Sequence, residues 1–188
     1  DTDLLSFEGL IPYTSHWIEF ARKYQNLLIE IRTKSASFNR IRQLKPAAQV
    51  ILAWSLSPAP IVRRYEKLAP RLESRLSAAA KAIECGWKVR LSLEPILKVE
   101  GWKEIYSHFI DEVFEVLPAD RIYDVNIGAF RMSKEYYKKV SRMRTDTDVF
   151  AYPVEVKNGV VSYKDEYEIR NFIFSRVIQH CSKEKVFI

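Results

Sequence analysis

The stretch QVILAWSLS, residues 49–57, constrains the fold of this chain more than any other. Its apolar residues follow one another without the polar–apolar alternation of a strand that has one face in water. Such a run is typical of a strand in a parallel sheet that is covered on both faces. Parallel strands are joined by crossover connections, usually helices, so the segments on either side of this run decide the architecture.

Similar strand patterns recur along the chain, and amphipathic helical patterns separate them. We predict strands at residues 27–32, 49–57, 87–95 and 121–130. We predict helices at residues 12–24, 38–44, 59–66, 70–86, 101–118 and 133–143. Strands that alternate with helices indicate βαβ units. Neither G-x-G-x-x-G nor G-K-[ST] occurs, which favours an α/β fold built as a partial (βα) barrel, with parallel strands and outer helices, over a dinucleotide-binding sheet.

Residues 151–188 carry a different pattern. YPVEVKNGVVSY predicts a hairpin, because Asn158-Gly159 is the strongest short signal for a tight turn between two strands. A helix is expected at about residues 164–180, and KVFI is typical of a terminal strand. We expect residues 1–150 to form the partial barrel. Residues 151–188 should pack on it within the same domain.

The same patterns predict helix starts and buried side chains. The helix at 12–24 is expected to begin with Thr14 or Ser15 as its N-cap, and the helix at 101–118 to turn Val116 toward the core. Four tryptophans are expected in the core or between helix and sheet: Trp17, Trp54, Trp87 and Trp102.

Charge and cysteine content narrow the functional classes. The formal charge of +6, from 30 basic and 24 acidic residues, permits an anionic partner such as nucleic acid but does not require one. Cys85 and Cys181 are the two cysteines, and without CxxC spacing they favour a reducing compartment and cannot form a metal site unaided. No apolar run approaches the roughly 20 residues of a membrane span. We therefore expect a cytoplasmic protein with no metal ligands in this chain.

Polar residues stand where the predicted strands end. Thr33-Lys34-Ser35 follow the first strand, and Ser55 ends the second. Glu94 ends the third, and Gly128 to Arg131 follow the fourth. In (βα) barrels the ligands bind at the carboxyl ends of the strands. The sequence therefore predicts a ligand site that these strand ends share.

Three stretches at these strand ends resemble one known family. They are IEIRTKSASF, the long run from VILAWSLSP through ESRLSAAAKAIECGWKV to LEPIL with EGW after it, and VNIGAFRMSKE. In order and spacing they resemble the spore photoproduct lyase-like proteins of the radical S-adenosylmethionine superfamily, over most of the chain. The resemblance implies a partial barrel of the radical-SAM type and a lyase that repairs a DNA photoproduct or performs a related radical reaction.

The resemblance also implies S-adenosylmethionine and a 4Fe-4S iron–sulfur cluster as cofactors. In the family the cluster cleaves S-adenosylmethionine reductively, and the resulting 5′-deoxyadenosyl radical abstracts hydrogen. The family holds its cluster with a CxxxCxxC motif, which this sequence lacks, and cluster iron requires such thiolate ligands. The register of the resemblance places that motif before Asp1. We therefore expect this chain to be the middle-to-carboxyl part of a longer enzyme and to be inactive alone.

Four residues match cofactor-binding positions of the resemblance. Lys34 matches a lysine implicated in holding the methionyl carboxylate, and an ammonium at a strand end suits that task. Ser55 matches a serine that can donate to the same carboxylate, and Thr2 stands where the family has a serine near the cofactor. Glu94 departs from the lyases, which have a small apolar residue there. Its carboxylate could contact the ribose or amine of the cofactor, or a substrate proton.

Arg131 is the candidate for contact with a nucleic-acid substrate, because a guanidinium can bind a phosphate through two hydrogen bonds. The following helix extends this basic character with Lys134, Lys138, Lys139, Arg142 and Arg144. The lyases have a strongly basic DNA-binding hairpin, whereas the hairpin here mixes Lys157 and Lys164 with four acidic residues. This mixture weakens the prediction of a thymine-dimer DNA substrate.

Two other functions fit the same residues. Lys34 could be the Schiff-base lysine of a barrel aldolase or lyase, which would need a desolvated or cationic neighbourhood. Alternatively, Arg131 and the basic helix could belong to a non-catalytic nucleic-acid-binding module. The sequence leaves the substrate and the oligomeric state open.

Overall fold

The computed structural model describes residues 3–188 of the chain. Its main sheet contains the strands β1 (Ile29–Thr33), β2 (Val50–Ser55), β3 (Lys88–Ile96), β4 (Asp124–Ala129) and β8 (Val186–Phe187). All neighbouring strands are parallel, in the order β1-β2-β3-β4-β8. The sheet is open, with β1 and β8 at its edges within residues 3–188. This confirms the predicted α/β fold with a partial barrel, and KVFI supplies its last strand.

Helices lie between β2 and β3, between β3 and β4, and between β4 and β8, whereas the connection from β1 to β2 has no α-helix. The α-helices are α1 (Leu4–Phe7), α2 (Tyr13–Arg22), α3 (Ala59–Tyr65), α4 (Leu72–Glu84), α5 (Trp102–Val116), α6 (Lys134–Met143) and α7 (Glu166–Val177). The predicted helix at 38–44 is wrong, since only a single 3₁₀ turn forms there, at Phe38–Arg40. No helix in residues 3–188 is long and apolar enough to cross a bilayer.

A small antiparallel sheet lies beside the main one. It contains β5 (Arg131–Ser133), β6 (Val154–Lys157) and β7 (Val160–Tyr163), in the order β5-β7-β6. The predicted hairpin is confirmed, with Asn158 at φ 51° and Gly159 at φ 77° in its turn. Two consecutive residues with positive φ are the signature of a type I′ turn, which matches the twist of the flanking strands. The strand β5 was not predicted from the sequence.

One face of the main sheet forms the core with the helices. Leu52 and Trp54 on β2 and Leu91 on β3 are at most 1% exposed, and α4 packs on β3 while α7 packs on β4. Two predictions of burial are wrong: Trp17 is 45% exposed and Val116 is 47% exposed. In both helices the neighbouring positions fill the core instead, namely Ile18 and Ala21 in α2 and Val113 in α5.

The start of α2 is capped differently from the prediction. Pro12 is the N-cap residue, and Thr14 and Ser15 lie inside the first turn. Their backbone N–H groups donate to the carboxylate of Glu8, at 2.7 and 3.1 Å. The carboxylate of Glu8 thus caps the N-terminus of α2, whereas the sequence pattern predicted a hydroxyl side chain as the cap.

The opposite face of the main sheet is polar. Side chains alternate along a strand, so every second residue of β1, β3 and β4 points to this face. The register aligns one row across the sheet, from Arg32 through Ala53 and Arg90 to Asp124. The next row runs from Ser55 through Ser92 to Asn126. We call this surface the polar face, defined by Glu30, Arg32, Arg90, Ser92, Glu94, Asp124 and Asn126. Parallel strands normally bury both faces in apolar contacts, so a charged face marks this side of the sheet as the place to look for function.

Candidate ligand site at the carboxyl edge of the sheet

Glu94 lies at the upper end of the polar face and is held by two neighbours. Arg32 Nη1 and Asn126 Nδ2 both donate to Glu94 Oε1, at 2.6 and 2.7 Å. The Oε2 atom lies 2.6 Å from where a Cβ on Gly128 would stand. A side chain at position 128 would therefore push the carboxylate away, which explains why glycine suits β4 here. Glu94 is fixed in place at the strand end predicted from the sequence.

Arg90 organises the lower part of the polar face. Its Nε and Nη2 donate to the two oxygens of Asp124, at 2.5 and 2.6 Å, and its Nη1 donates to Glu30. The hydrogen bonding that Arg90 donates to Asp124 is the main cause that raises the pKa of Arg90, and Glu30 adds to it. Glu30 also accepts from Arg32, so the two arginines and three carboxylates form one continuous network.

A second ionic cluster stands at the carboxyl ends of β1 and β2. Lys34 Nζ lies 3.1 Å from Glu66 Oε1, and Arg75 Nη2 lies 2.5 Å from Glu66 Oε2. The hydroxyl of Ser57 also donates to Glu66 Oε1, at 3.2 Å. We call these four residues the Lys34 cluster. It joins residues that follow β1 and β2 to the end of α3 and the first turns of α4.

Arg75 is the buried member of the Lys34 cluster. Its side chain has no exposed surface. Besides Glu66, it donates from Nε to the carbonyl of Pro70 at 2.9 Å and from Nη1 to the carbonyl of Ser55 at 3.1 Å. A buried charge persists only when it is paired and hydrogen-bonded, and these contacts meet that condition.

The Lys34 cluster carries a net charge of about +1 at neutral pH, because Lys34 and Arg75 together outweigh Glu66. Burial by itself raises the pKa of Glu66, but Lys34 and Arg75 lower it more, and the net direction is downward. The carboxylate is therefore ionised, and the four residues of the Lys34 cluster together keep one net positive charge. Such a place attracts an anionic group, for example a carboxylate.

Acid should weaken the contribution of Glu66 to stability. Because its pKa is lower in the folded protein than in the unfolded chain, its contribution is complete above the unfolded value of about 4.3 and is lost as the pH falls through the folded value. The difference in unfolding free energy between the wild type and Glu66→Gln should therefore shrink below about pH 4. Urea unfolding between pH 3 and 7 measures it. Glu73→Gln, at an exposed position in the first turn of α4, is the control and should change stability much less than Glu66→Gln at pH 7.

The polar loop after β1 is held by internal hydrogen bonds. Asp3 accepts from the Thr33 hydroxyl at 2.8 Å and from the Lys34 N–H at 2.7 Å. Trp54 Nε1 donates to the carbonyl of Ser35 at 3.0 Å. Thr33 and Ser35 are buried, and their hydroxyls hold the loop, while the partly exposed Lys34 side chain reaches Glu66. The loop therefore fixes the backbone from which Lys34 projects.

Ser55 lies at the end of β2, where the sequence predicted it, and is 6% exposed. Next to it in the register stands Ser92, which is fully buried and whose Oγ has no hydrogen-bond partner within residues 3–188. Buried hydroxyls normally find a partner, so this orphan marks a polar spot beside Ser55. Thr2, the fourth predicted cofactor contact, lies outside the described residues.

Arg131 belongs to a different surface. It lies on β5 opposite Ser162 of β7, in the small sheet, and is exposed. The adjoining helix α6 has no buried residue, and its cations face solvent. The structure therefore brings Lys34, Ser55 and Glu94 to one edge of the main sheet and assigns Arg131 to the small sheet and α6.

The match to a family of known proteins extends over nearly the whole chain. Residues 1–176 match the family model described as "Spore photoproduct lyase". The chain belongs to the spore photoproduct lyase family. A curated member, the spore photoproduct lyase of Clostridium acetobutylicum, is 20% identical over 130 residues, which are 69% of this chain and 38% of that protein.

Solved structures of spore photoproduct lyase share the fold. A double mutant with bound AdoMet and dinucleoside spore photoproduct has a TM-score of 0.85 at 16% identity, and the match covers 98% of this chain and 57% of that one. A complex with dinucleoside spore photoproduct has a TM-score of 0.83 at 18% identity with the same coverage. The chain thus spans little more than half the length of these spore photoproduct lyases, and about two-fifths of the Clostridium protein.

Of the two cofactors that the family resemblance implies, the residues of this chain suit S-adenosylmethionine but not the iron–sulfur cluster. The Lys34 cluster, with its net positive charge and the partly exposed ammonium of Lys34, suits the carboxylate end of S-adenosylmethionine. The residues present do not fit an iron–sulfur cluster. Cys85 follows α4 and Cys181 follows α7, each shortly before the amino end of a strand, whereas Lys34 lies at the carboxyl edge. Residues 3–188 contain no group of three His, Cys, Asp or Glu side chains arranged to hold a metal.

Proposed function

We propose that this chain provides the S-adenosylmethionine-binding edge and the substrate-facing surface of a radical enzyme that acts on a DNA photoproduct. The observation that carries the proposal is the net positive Lys34 cluster at the carboxyl edge of a parallel sheet, in a chain of the spore photoproduct lyase family. Ligands of barrel enzymes bind at this edge. Solved members of the family hold AdoMet and dinucleoside spore photoproduct, which suggests the cofactor and the class of substrate.

The residues of this chain would bind and orient S-adenosylmethionine and the substrate and would shield them from water. Lys34 would pair with the carboxylate of S-adenosylmethionine, and the hydroxyl of Ser55 would donate to the same group. Glu94, fixed by Arg32 and Asn126, would accept from a hydroxyl or amino group of the cofactor or substrate. Thr2 stays a candidate on sequence alone. When bound together with an iron–sulfur cluster, S-adenosylmethionine supplies the radical chemistry, and this chain offers no ligands for that cluster.

Arg131 and α6 would contact the phosphates of a nucleic-acid substrate. The support is that Arg131 is exposed and that α6 carries its cations without burying any residue. Residues 1–150 and 151–188 would act as one domain, since β8 joins the main sheet and α7 packs on β4. Both cysteines are free thiols, in keeping with the reducing cytoplasm that we propose as the site of action.

The Schiff-base alternative receives no support from the neighbourhood of Lys34. A nucleophilic lysine needs an apolar or cationic environment that favours the neutral amine. Lys34 instead has the carboxylate of Glu66 at 3.1 Å and is partly exposed. The surroundings of Lys34 suit an ammonium that binds an anion rather than a nucleophilic amine.

The proposed carboxylate contact can be tested by ligand binding. Replacing Lys34 with methionine keeps most of its length but removes the charge, and we expect the affinity for S-adenosylmethionine to fall roughly 10- to 100-fold, as a charge-assisted hydrogen bond would imply. Equilibrium dialysis on the full-length protein measures this. Lys88→Met, at the amino end of β3, is the matched control and should bind normally. Unchanged affinity in Lys34→Met would contradict the proposed contact.

A further inference from the structure

Glu66 occupies an unusual position for an acid beside an anion-binding lysine. Its two oxygens divide their contacts, with Oε1 facing Lys34 and Ser57 and Oε2 facing Arg75. Arg75 is in turn fixed by the carbonyls of Pro70 and Ser55. One oxygen of Glu66 therefore pairs with the buried cation of Arg75, and the other pairs with the partly exposed cation of Lys34. Glu66 is the only acidic residue of the Lys34 cluster, so it supplies the one carboxylate in the cluster that pairs with Lys34.

We propose that Glu66 is a positioning residue that aims the ammonium of Lys34 at the carboxylate of S-adenosylmethionine, with Arg75 as its anchor. This inference rests on the proposed function, because it assumes that Lys34 binds that carboxylate. An ammonium has three N–H donors. Within residues 3–188 Glu66 is the ion-pair partner of this ammonium, which leaves N–H donors for an incoming carboxylate at the carboxyl edge of the sheet.

Positioning matters here because lysine is flexible. A free lysine side chain loses much rotamer entropy when a ligand immobilises it, and this loss weakens binding. The side chain of Lys34 is 36% exposed, whereas that of Glu66 is only 12% exposed. Glu66 therefore restrains the Lys34 side chain before the ligand binds. The conformational entropy of that side chain is then lost during folding and not during ligand binding.

Charge repulsion alone predicts that Glu66 weakens binding of a ligand carboxylate, which is the opposite of what a positioning role predicts. A negative charge close to Lys34 repels a ligand carboxylate and competes with it for the ammonium. If competition dominated, removing Glu66 would strengthen carboxylate binding, since the cluster charge would rise from about +1 to about +2. If positioning dominates, removal weakens binding although the charge becomes more favourable. The sign of the change therefore separates the two roles.

The test compares S-adenosylmethionine with decarboxylated S-adenosylmethionine, which keeps the adenosine, sulfonium and amine but lacks the carboxylate. The measured quantity is the ratio of the two dissociation constants in the full-length protein, obtained by equilibrium dialysis or calorimetry. We expect the wild type to prefer the carboxylate-bearing ligand by roughly 10-fold or more, and Lys34→Met to lose that preference. Glu66→Ala should lower the ratio to within about threefold of the Lys34→Met value, although it retains Lys34. Glu66→Gln, which keeps an acceptor for the ammonium, should recover part of the preference.

The outcomes distinguish this inference from the proposed function. If the wild type shows no preference, the carboxylate contact of Lys34 fails, and the positioning role fails with it. If Lys34→Met loses the preference while Glu66→Ala keeps or increases it, only the positioning role is overturned. Loss of affinity for both ligands by the same factor in Glu66→Ala would indicate a purely structural role and would also overturn it. Glu73→Ala, exposed on α4, is the control for an acid lost from the same region.

Discussion

Replacing Arg75 with alanine is expected to lower the free energy of unfolding by about 3–5 kcal/mol, the usual cost of breaking a buried ion pair by removing one partner. The guanidinium is completely buried and donates to Glu66 and to two backbone carbonyls. Alanine would leave the carbonyls of Pro70 and Ser55 without that donor and would open a cavity between α4 and the sheet. Urea unfolding followed by circular dichroism measures the change.

The matched control for this prediction is Arg71→Ala. Arg71 stands at the start of the same helix, but it is exposed and its side chain caps nothing. Its replacement should change stability by no more than about 0.5 kcal/mol. A loss below about 1 kcal/mol in Arg75→Ala would mean that the buried pair contributes little beyond its packing, as some buried ion pairs do. The anchor role assigned to Arg75 would then have no energetic basis.

The strands and most helices could be predicted because their patterns are local. The apolar run of β2 requires burial on both faces, and the structure shows every residue from Val50 to Ser55 buried. The Asn158-Gly159 turn follows from backbone sterics alone. The helix predicted at 38–44 is wrong because tertiary packing overrides the local pattern: Phe38 and Ile41 are fully buried in the core from a segment that forms only a 3₁₀ turn.

The candidate site was predicted only in part. Lys34, Ser55 and Glu94 could be proposed from the sequence because the rule that ligands bind at strand ends needs no distances. Glu66 was missed because its partners lie far away in sequence, and nothing local marks an acid after α3 as part of the site. Arg75 did leave a signal. It stands in the apolar stripe of α4 three residues after Leu72, where a cation would be buried, and such a residue needs a partner.

The polar face adds a constraint on what this surface can bind. Glu30, Glu94 and Asp124 together carry about one more negative charge than Arg32 and Arg90 can balance. The Lys34 cluster at the edge is positive by about one charge. A ligand with an anionic end and donor-rich or cationic groups would match both regions, and the amino-acid sulfonium part of S-adenosylmethionine has that polarity.

Replacing Trp54 should show how strongly the loop of Lys34 depends on the core. Trp54 is fully buried, packs against Phe38 and donates from Nε1 to the carbonyl of Ser35. Trp54→Ala is expected to cost about 3–5 kcal/mol of unfolding free energy through the cavity it leaves. Trp54→Phe keeps a ring and should cost about 1–2 kcal/mol more than Trp87→Phe, because the buried Nε1 of Trp87 has no hydrogen-bond partner within residues 3–188 and loses none. Urea unfolding gives these energies, and equal losses in the two phenylalanine variants would mean that the bond to Ser35 does not stabilise the loop from which Lys34 projects.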